Sequence, residues 1–317
     1  MRQSALAALL PALLATLIWA PVQGAEVKLK AASFQGDKVV FARPFYRWVT
    51  ELNRRCQGKV TIGVVGPHTI KPERQWFELR AGRIDVYFGP SSYYRGELSE
   101  ADVLHLAKKG PATQRQNGAW AILNKLHNKK LNAWYLTTLI SGVKFYIYTT
   151  KPAKNGRFDG VRLRAVPLYK IFVENLGAQT TYMPATDIRA ALENGKIDGF
   201  GWPLWGLDYF GWEKLVRYRY GPGFMDTAAP VLINLDRWNS LSSEQQRCLN
   251  EMAAWAEKMD PIWRNEENER QLAIIEKAGI MYVDLGPEFS RGPEQIFWKM
   301  LNTASPIFAQ KIRPLIE

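Results

Sequence analysis

Arg164 is the side chain of this 317-residue sequence best placed to do chemistry. It lies in the run Val161-Arg162-Leu163-Arg164-Ala165-Val166-Pro167, which reads as a short strand ending just before a helix. Ligands of open α/β sheets bind at the carboxyl ends of strands. A guanidinium there directs two parallel N–H groups at a carboxylate and so holds a small acid in register. The plainer alternative, a pair with a surface acid, stays open at this level because such pairs are common. Two other segments end strands in the same manner, Ser33-Phe34-Gln35 and Pro90-Ser91-Ser92-Tyr93. Phe34, Gln35, Ser91 and Ser92 are therefore expected to line a cleft.

Catalytic patterns are missing from the sequence. It has no Gly-x-Ser-x-Gly, no phosphate loop and no dinucleotide fingerprint. His68, His105 and His127 are isolated from one another and lack the paired spacing of a zinc site. No enzyme activity, metal or other cofactor is expected. Asp85 and Asp198 each follow a helix-ending glycine at the start of a strand, which makes a structural role the expectation for both.

The elements that position these residues come in two similar sets. Leu79-Arg80-Ala81-Gly82-Arg83-Ile84-Asp85 leads through Val86-Tyr87-Phe88-Gly89 to Pro90. Leu192-Glu193-Asn194-Gly195-Lys196-Ile197-Asp198 leads through Gly199-Phe200-Gly201-Trp202 to Pro203, 113 residues further on. In each, a helix closes on a left-handed glycine, a basic residue sits at the negative helix end, and a buried strand follows. Upstream of each lies a strand ending in proline, at 60–67 and 179–184. Two such units predict two lobes, and the space between lobes is where small ligands bind. The periodicity further predicts strands over 27–33, 134–138, 144–149, 161–166 and 231–234. It predicts helices over 37–55, 113–126, 168–176 and 187–193. A long helix over 242–273, opened by Ser242-Ser243-Glu244-Gln245 and carrying Pro261, would span on the order of 45 Å, enough to lie across both lobes. A final αβα segment closes the chain. Alternating strands and helices make the class α/β.

The amino terminus reads as a secretory signal over residues 1–24. Arg2 is followed by the apolar run 5–20, and Val22-Gln23-Gly24 places small residues before Ala25. Export leaves about 290 residues, suited to one or two domains, and predicts a periplasmic location. The formal charge of +12 favours anionic partners. Basic residues are scattered among acids rather than concentrated, so nucleic acid is not expected. Export permits a disulfide between Cys56 and Cys248, but spacing alone does not decide between a bridge and two buried thiols.

Several of these segments together resemble the substrate-binding proteins of tripartite ATP-independent periplasmic (TRAP) transporters. They are Phe158-Asp159-Gly160-Val161-Arg162-Leu163-Arg164, Pro167-Leu168-Tyr169-Lys170, Leu176-Gly177-Ala178, Met183-Pro184 and Gly195-Lys196-Ile197-Asp198-Gly199. Asn234-Leu235-Asp236-Arg237-Trp238 continues the likeness, which covers the mature chain and is most specific over 158–204. The resemblance implies two hinged lobes of mixed sheet with a long helix across both. It implies that Arg164 matches the family's carboxylate-binding arginine and that Lys144 matches its second basic contact. Lys144 keeps the charge without the bidentate fork. It also implies that Trp202 takes the place of a usual asparagine and Pro167 that of a polar neighbour, while Ala185 leaves room where a ring is common. Tyr146 and Trp205 are expected to add aromatic wall.

The resulting expectation is a monomeric receptor that binds a small organic anion and delivers it to the small and large membrane subunits of a TRAP transporter. Lobe 1 would comprise 25–141 with 229–268, and lobe 2 142–228 with 269–317. The hinge would lie at the crossings near 144–151 and 228–234. Rival expectations are a receptor for another importer or a sensor, an exported α/β enzyme acting on a small acid, and a lobed scaffold without a small ligand.

Overall fold

Strand β1 (Val27–Ser33) opens a parallel unit, and its pattern explains its depth: Leu29 and Ala31 face the core while Lys28 and Lys30 point outward. The chain is described by a computed structural model covering residues 25–154 and 156–317; the signal expected over 1–24 lies outside the described residues. Helix α1 (Arg43–Arg55) follows, with Phe45, Trp48, Val49 and Leu52 on its buried face. Then come β2 (Val60–Val65), α2 (Gln75–Arg80) and β3 (Val86–Phe88). The single helix expected at 113–126 is two, α3 (Pro111–Asn117) and α4 (Ala119–Leu131). Gly118 adopts φ +92° between them, a left-handed kink the apolar period does not reveal. Strand β4 (Ala133–Ile140) completes this half.

The second half repeats the plan. It contains β5 (Phe145–Thr149), β6 (Arg162–Arg164), α5 (Lys170–Asn175), β7 (Gln179–Thr181), α6 (Ile188–Glu193) and β8 (Gly199–Pro203). Helix α7 (Leu207–Phe210) and strand β9 (Tyr218–Gly221) come next. The chain then returns as β10 (Ala229–Asn234), α8 (Leu235–Ser240) and the 35-residue α9 (Ser243–Lys277), before β11 (Met281–Asp284), α10 (Pro287–Ala304) and α11 (Pro306–Ile316). The close is thus one strand and two helices after α9. Strand β9 carries alternating tyrosine and arginine, and its charges hide a strand that is paired on both sides.

Two mixed sheets result, ordered β2-β1-β3-β10-β4 and β11-β9-β5-β8-β6-β7. In each, three parallel strands meet an antiparallel neighbour, β10 beside β3 and β5 beside β8. The chain passes between the sheets at 141–144 and at 222–228, and α9 bridges them a third time. Ser242 and Gln245 form a reciprocal capping box that starts α9. Its Leu249, Met252, Ala253 and Ala256 are buried, where α9 meets α1, α3 and β4. Further along, Asn268 accepts from Trp205 Nε1 at 2.7 Å and Gln271 accepts from Gly206 N at 3.0 Å, both in the second half. The helix continues through Pro261 over about 50 Å. Cys56, at the end of α1, and Cys248, on α9, form a disulfide with Cα atoms 6.0 Å apart. Helix α10 rests on α5, while α11 returns to α3 and α4. There the Ile316 carbonyl accepts from the N–H groups of Lys108 and Lys109 at 2.8 and 3.0 Å. Among the described residues no helix is long and apolar enough to cross a membrane.

Candidate functional site

The repeated units share one backbone frame. Gly82 and Gly195 adopt φ +70° and +63° and close α2 and α6. Asp85 then accepts from Lys30 N at 2.8 Å and returns its own N–H to Lys30 O at 2.8 Å. Asp198 does the same with Arg162, at 3.0 and 2.7 Å. Each carboxylate therefore pins the start of one strand to its parallel neighbour. Asp198 also takes two bonds from the Arg162 guanidinium at 2.9 Å, and these bonds hold its carboxyl below the usual aspartate range.

This frame sets the position of Arg164. Two residues beyond Arg162, it points into the molecule at the end of β6, and it is only 6% exposed. Its Nε donates to Met183 O at 3.1 Å, and its Nη1 lies 3.4 Å from the Tyr169 hydroxyl, which itself donates to Gly201 O at 2.7 Å. Both oxygens are neutral, so the guanidinium has no carboxylate partner among the described residues. Its Cζ lies 5.8 Å from the centre of the Trp202 ring. The indole N–H of Trp202 is spent on Trp205 O at 2.9 Å, which fixes the ring in place. Phe41 of the first half meets Trp202 edge-on at 6.2 Å, and Phe210 and Trp212 brace it at 5.6 and 4.9 Å.

The first half contributes rings. Phe34, just beyond β1, packs against Phe88 at 5.5 Å and Tyr93 at 6.3 Å. The hydroxyl of Tyr93 is pushed up by burial and by the charge of Glu73, with Arg164 pulling the other way. Tyr146 is directly opposite Trp202 in the β5–β8 pair, on the same sheet face.

The other expected residues are placed differently. The Lys144 ammonium pairs with Asp226 at 2.8 Å and lines a cavity of about 320 Å³ with Ser141, Gln114 and Arg264, a lining that does not include Arg164. Asp260 stands beside it at the crossing, bonded to Ser141 at 2.6 Å, and burial pushes its carboxyl up to about 6. Ser91 is fully buried, its hydroxyl 3.0 Å from His105 Nε2. His105 Nδ1 is 2.7 Å from Asp226 O, and burial lowers the imidazole's affinity for a proton. This serine–histidine pair has the distances of an activated nucleophile, yet at 0% and 3% exposure it is sealed from any substrate. Gln35 and Ser92 are half-buried, and Pro167 is exposed. Trp205 is buried against Phe41 at 6.0 Å. Sequence reasoning missed Phe41, Tyr169 and Met183; each acts through an aromatic contact or a backbone oxygen, which leaves no local pattern.

Chemically, the arrangement offers one buried guanidinium, neutral hydrogen-bond partners and an aromatic enclosure. It suits capture of an anion better than bond making.

Comparison with known proteins gives the family. Residues 43–292 match the model of bacterial extracellular solute-binding proteins, family 7, of the DctP type. A curated relative, the monocarboxylate 2-oxoacid-binding periplasmic protein of a Nostoc species, is 24% identical over 178 residues, covering 53% of this chain and 49% of that protein. The match thus spans about half of that relative's length. Among solved structures, a marine-metagenome TRAP solute binding protein specific for aromatic acid ligands, in complex with meta-hydroxyphenylacetate, superposes with a TM-score of 0.75 at 19% identity, covering 92% of this chain and 98% of that one. A TRAP periplasmic solute binding protein from Desulfovibrio desulfuricans, with bound sn-glycerol-3-phosphate, gives 0.78 at 17% identity, covering 92% and 98%. At these identities the structures share the two-lobed fold.

Proposed function

This chain belongs to the bacterial extracellular solute-binding proteins of family 7, a family of receptors rather than enzymes, and from that premise we propose that it is a periplasmic TRAP receptor for a small organic carboxylate. The observation that carries the reading is Arg164, a guanidinium at 6% exposure with no carboxylate partner among the described residues. An unpaired buried cation is costly, and an anionic ligand relieves that cost. The carboxylate would sit on Arg164 between the halves, enclosed by Trp202, Phe34 and Tyr146, with Gln35 and Ser92 at the rim. Lys144, released from Asp226, is the second cation within reach of the crossing. Ser91 and Pro167 act through the backbone that frames the mouth.

The two lobes divide at the crossings, with residues 25–141 and 229–268 in one and most of the remainder in the other; the final helix docks back on the first. Closure excludes water and strengthens the ion pair. The closed form is the one that meets the two membrane subunits. Trp202 and the space beside Ala185 favour an acid with an apolar or aromatic tail over a compact dicarboxylate. The relatives that bind a 2-oxoacid and an aromatic acid are in keeping with that preference.

A thermal-shift screen of aryl, branched-chain, 2-oxo and dicarboxylic acids tests the proposal, since a ligand selective for the folded state raises stability by RT ln(1 + [L]/Kd). A shift with an aryl or branched-chain acid supports it. A flat response across the acids, with a shift for a neutral sugar or an amine, overturns it.

A further inference from the structure

Arg164 has a counterpart on the same sheet face. The register aligns Arg164, Phe200, Tyr148, Arg219 and Tyr282 across β6, β8, β5, β9 and β11. Paired residues in a sheet share a face, so both arginines belong to one surface, three strand spacings of about 4.8 Å or roughly 14 Å apart. The adjacent row holds Tyr146 opposite Trp202. Arg164 lies 5.8 Å from the Trp202 ring, and Arg219 lies 4.9 Å from the Tyr146 ring. An aromatic pair is thus bracketed at both ends by guanidinium groups.

Arg219 is held for contact with something further. Tyr282 stacks on it at 4.9 Å, so the cation is clamped between two rings. Its Nε and Nη1 are buried without a hydrogen-bond partner among the described residues. Unmade bonds from buried guanidinium nitrogens are costly, and an anionic oxygen satisfies donors of this kind in parallel.

We infer that Arg219 forms a second anion subsite, and that the ligand of this receptor is an elongated dianion whose apolar or aromatic body lies along Tyr146 and Trp202. The inference rests on the carboxylate reading of Arg164 and adds the far end of the ligand. A second carboxylate, a sulfonate or a phosphate meets the same donors.

The test is titration calorimetry on the mature receptor with two matched pairs, benzoate against terephthalate and biphenyl carboxylate against biphenyl dicarboxylate. In wild type, one dianion should bind at least about tenfold more tightly than its monoanion, the scale of one charge-assisted contact. Arg219→Gln should reduce that advantage to below about threefold and leave the monoanion within about twofold. Arg219→Lys, which keeps the charge, should retain part of it, and it decides the matter should the glutamine variant fail to fold. Equal affinities within both pairs in wild type overturn the second subsite while leaving Arg164 in place. So does a loss in Arg219→Gln that falls equally on monoanion and dianion, because that is the mark of a residue that only stiffens the tyrosine stack. Failure of all four acids to bind overturns the elongated aromatic dianion, while the carboxylate reading of Arg164 stands or falls with the thermal-shift screen.

Discussion

The two β–α–β units are superposable in plan and opposite in chemistry. In the first sheet Ala32 pairs with Tyr87; in the second Arg164 pairs with Phe200. Counted from the aspartate that pins each frame, Ala32 and Arg164 occupy the same position. Ala32 is 0% exposed and packs with Trp76 and Leu79 in an apolar core. Arg164 is nearly as buried but faces a tryptophan ring and two neutral oxygens. A duplicated scaffold has therefore been charged on one side only. The second half supplies the cation, and the first supplies rings that close over it. Such a division would suit the proposed receptor, in which an anion would gain its partner in one lobe and lose its water to the other.

The sharpest way to break the comparison is to equalise it. Ala32→Arg places an uncompensated charge in the first core and should destabilise the protein by about 3–5 kcal/mol in urea unfolding. A cost below about 1 kcal/mol would mean that the first frame tolerates charge as well as the second does. The reverse change acts on binding. Arg164→Lys should weaken a bound aryl acid by about 1.5–3 kcal/mol in titration calorimetry and leave the unfolding curve unchanged, since only the fork is lost. Unaltered affinity would remove Arg164 from the site.

A smaller effect separates the two pinning aspartates. Asp198 is held by a guanidinium fork, whereas Asp85 has a single Arg237 contact at 3.4 Å. Asp198→Asn should cost about 1–2 kcal/mol, and Asp85→Asn less. Because Arg162 lowers the folded-state pKa of Asp198, its contribution is full above the ordinary aspartate value and is lost as pH falls through the lowered one. The parent's stability should therefore fall in acid more steeply than that of Asp198→Asn. Parallel acid limbs would contradict the assignment. Smallest of all, Trp202→Asn should shift the preference for aryl over succinate-like acids by about 1 kcal/mol, read in a competition panel. If succinate-like acids bind the parent best and the change does nothing, the ring has no part in selection.

The doubled frame was legible in the sequence because glycine, a basic residue and aspartate at fixed spacing have local causes: a left-handed cap, a helix end and a strand start. The place of Arg164 at the end of a strand was legible for the same reason, since that is a local position. The surroundings of these residues were not. Lys144 meets Asp226 and Ser91 meets His105 only after the chain has crossed between sheets, and no spacing encodes those meetings. Strand β9 escaped notice because Arg219 reads as solvent-facing charge until Tyr146 and Tyr282 are brought around it. The disulfide was undecided for a similar reason. Its two cysteines are 192 residues apart, and only the docking of α9 on α1 brings them together.

That bond makes a covalent ring of the chain from Cys56 to Cys248. The ring contains both crossings between the sheets and every strand of the second sheet except β11. One proteolytic cut anywhere between residues 57 and 247 opens the ring without releasing a fragment. A nicked receptor would run as a single species on a non-reducing gel and come apart only on reduction. It also sets an order on maturation. Were the chain exported as proposed, the ring could not close until Cys248 had crossed the membrane, so nearly four-fifths of the chain would precede the staple.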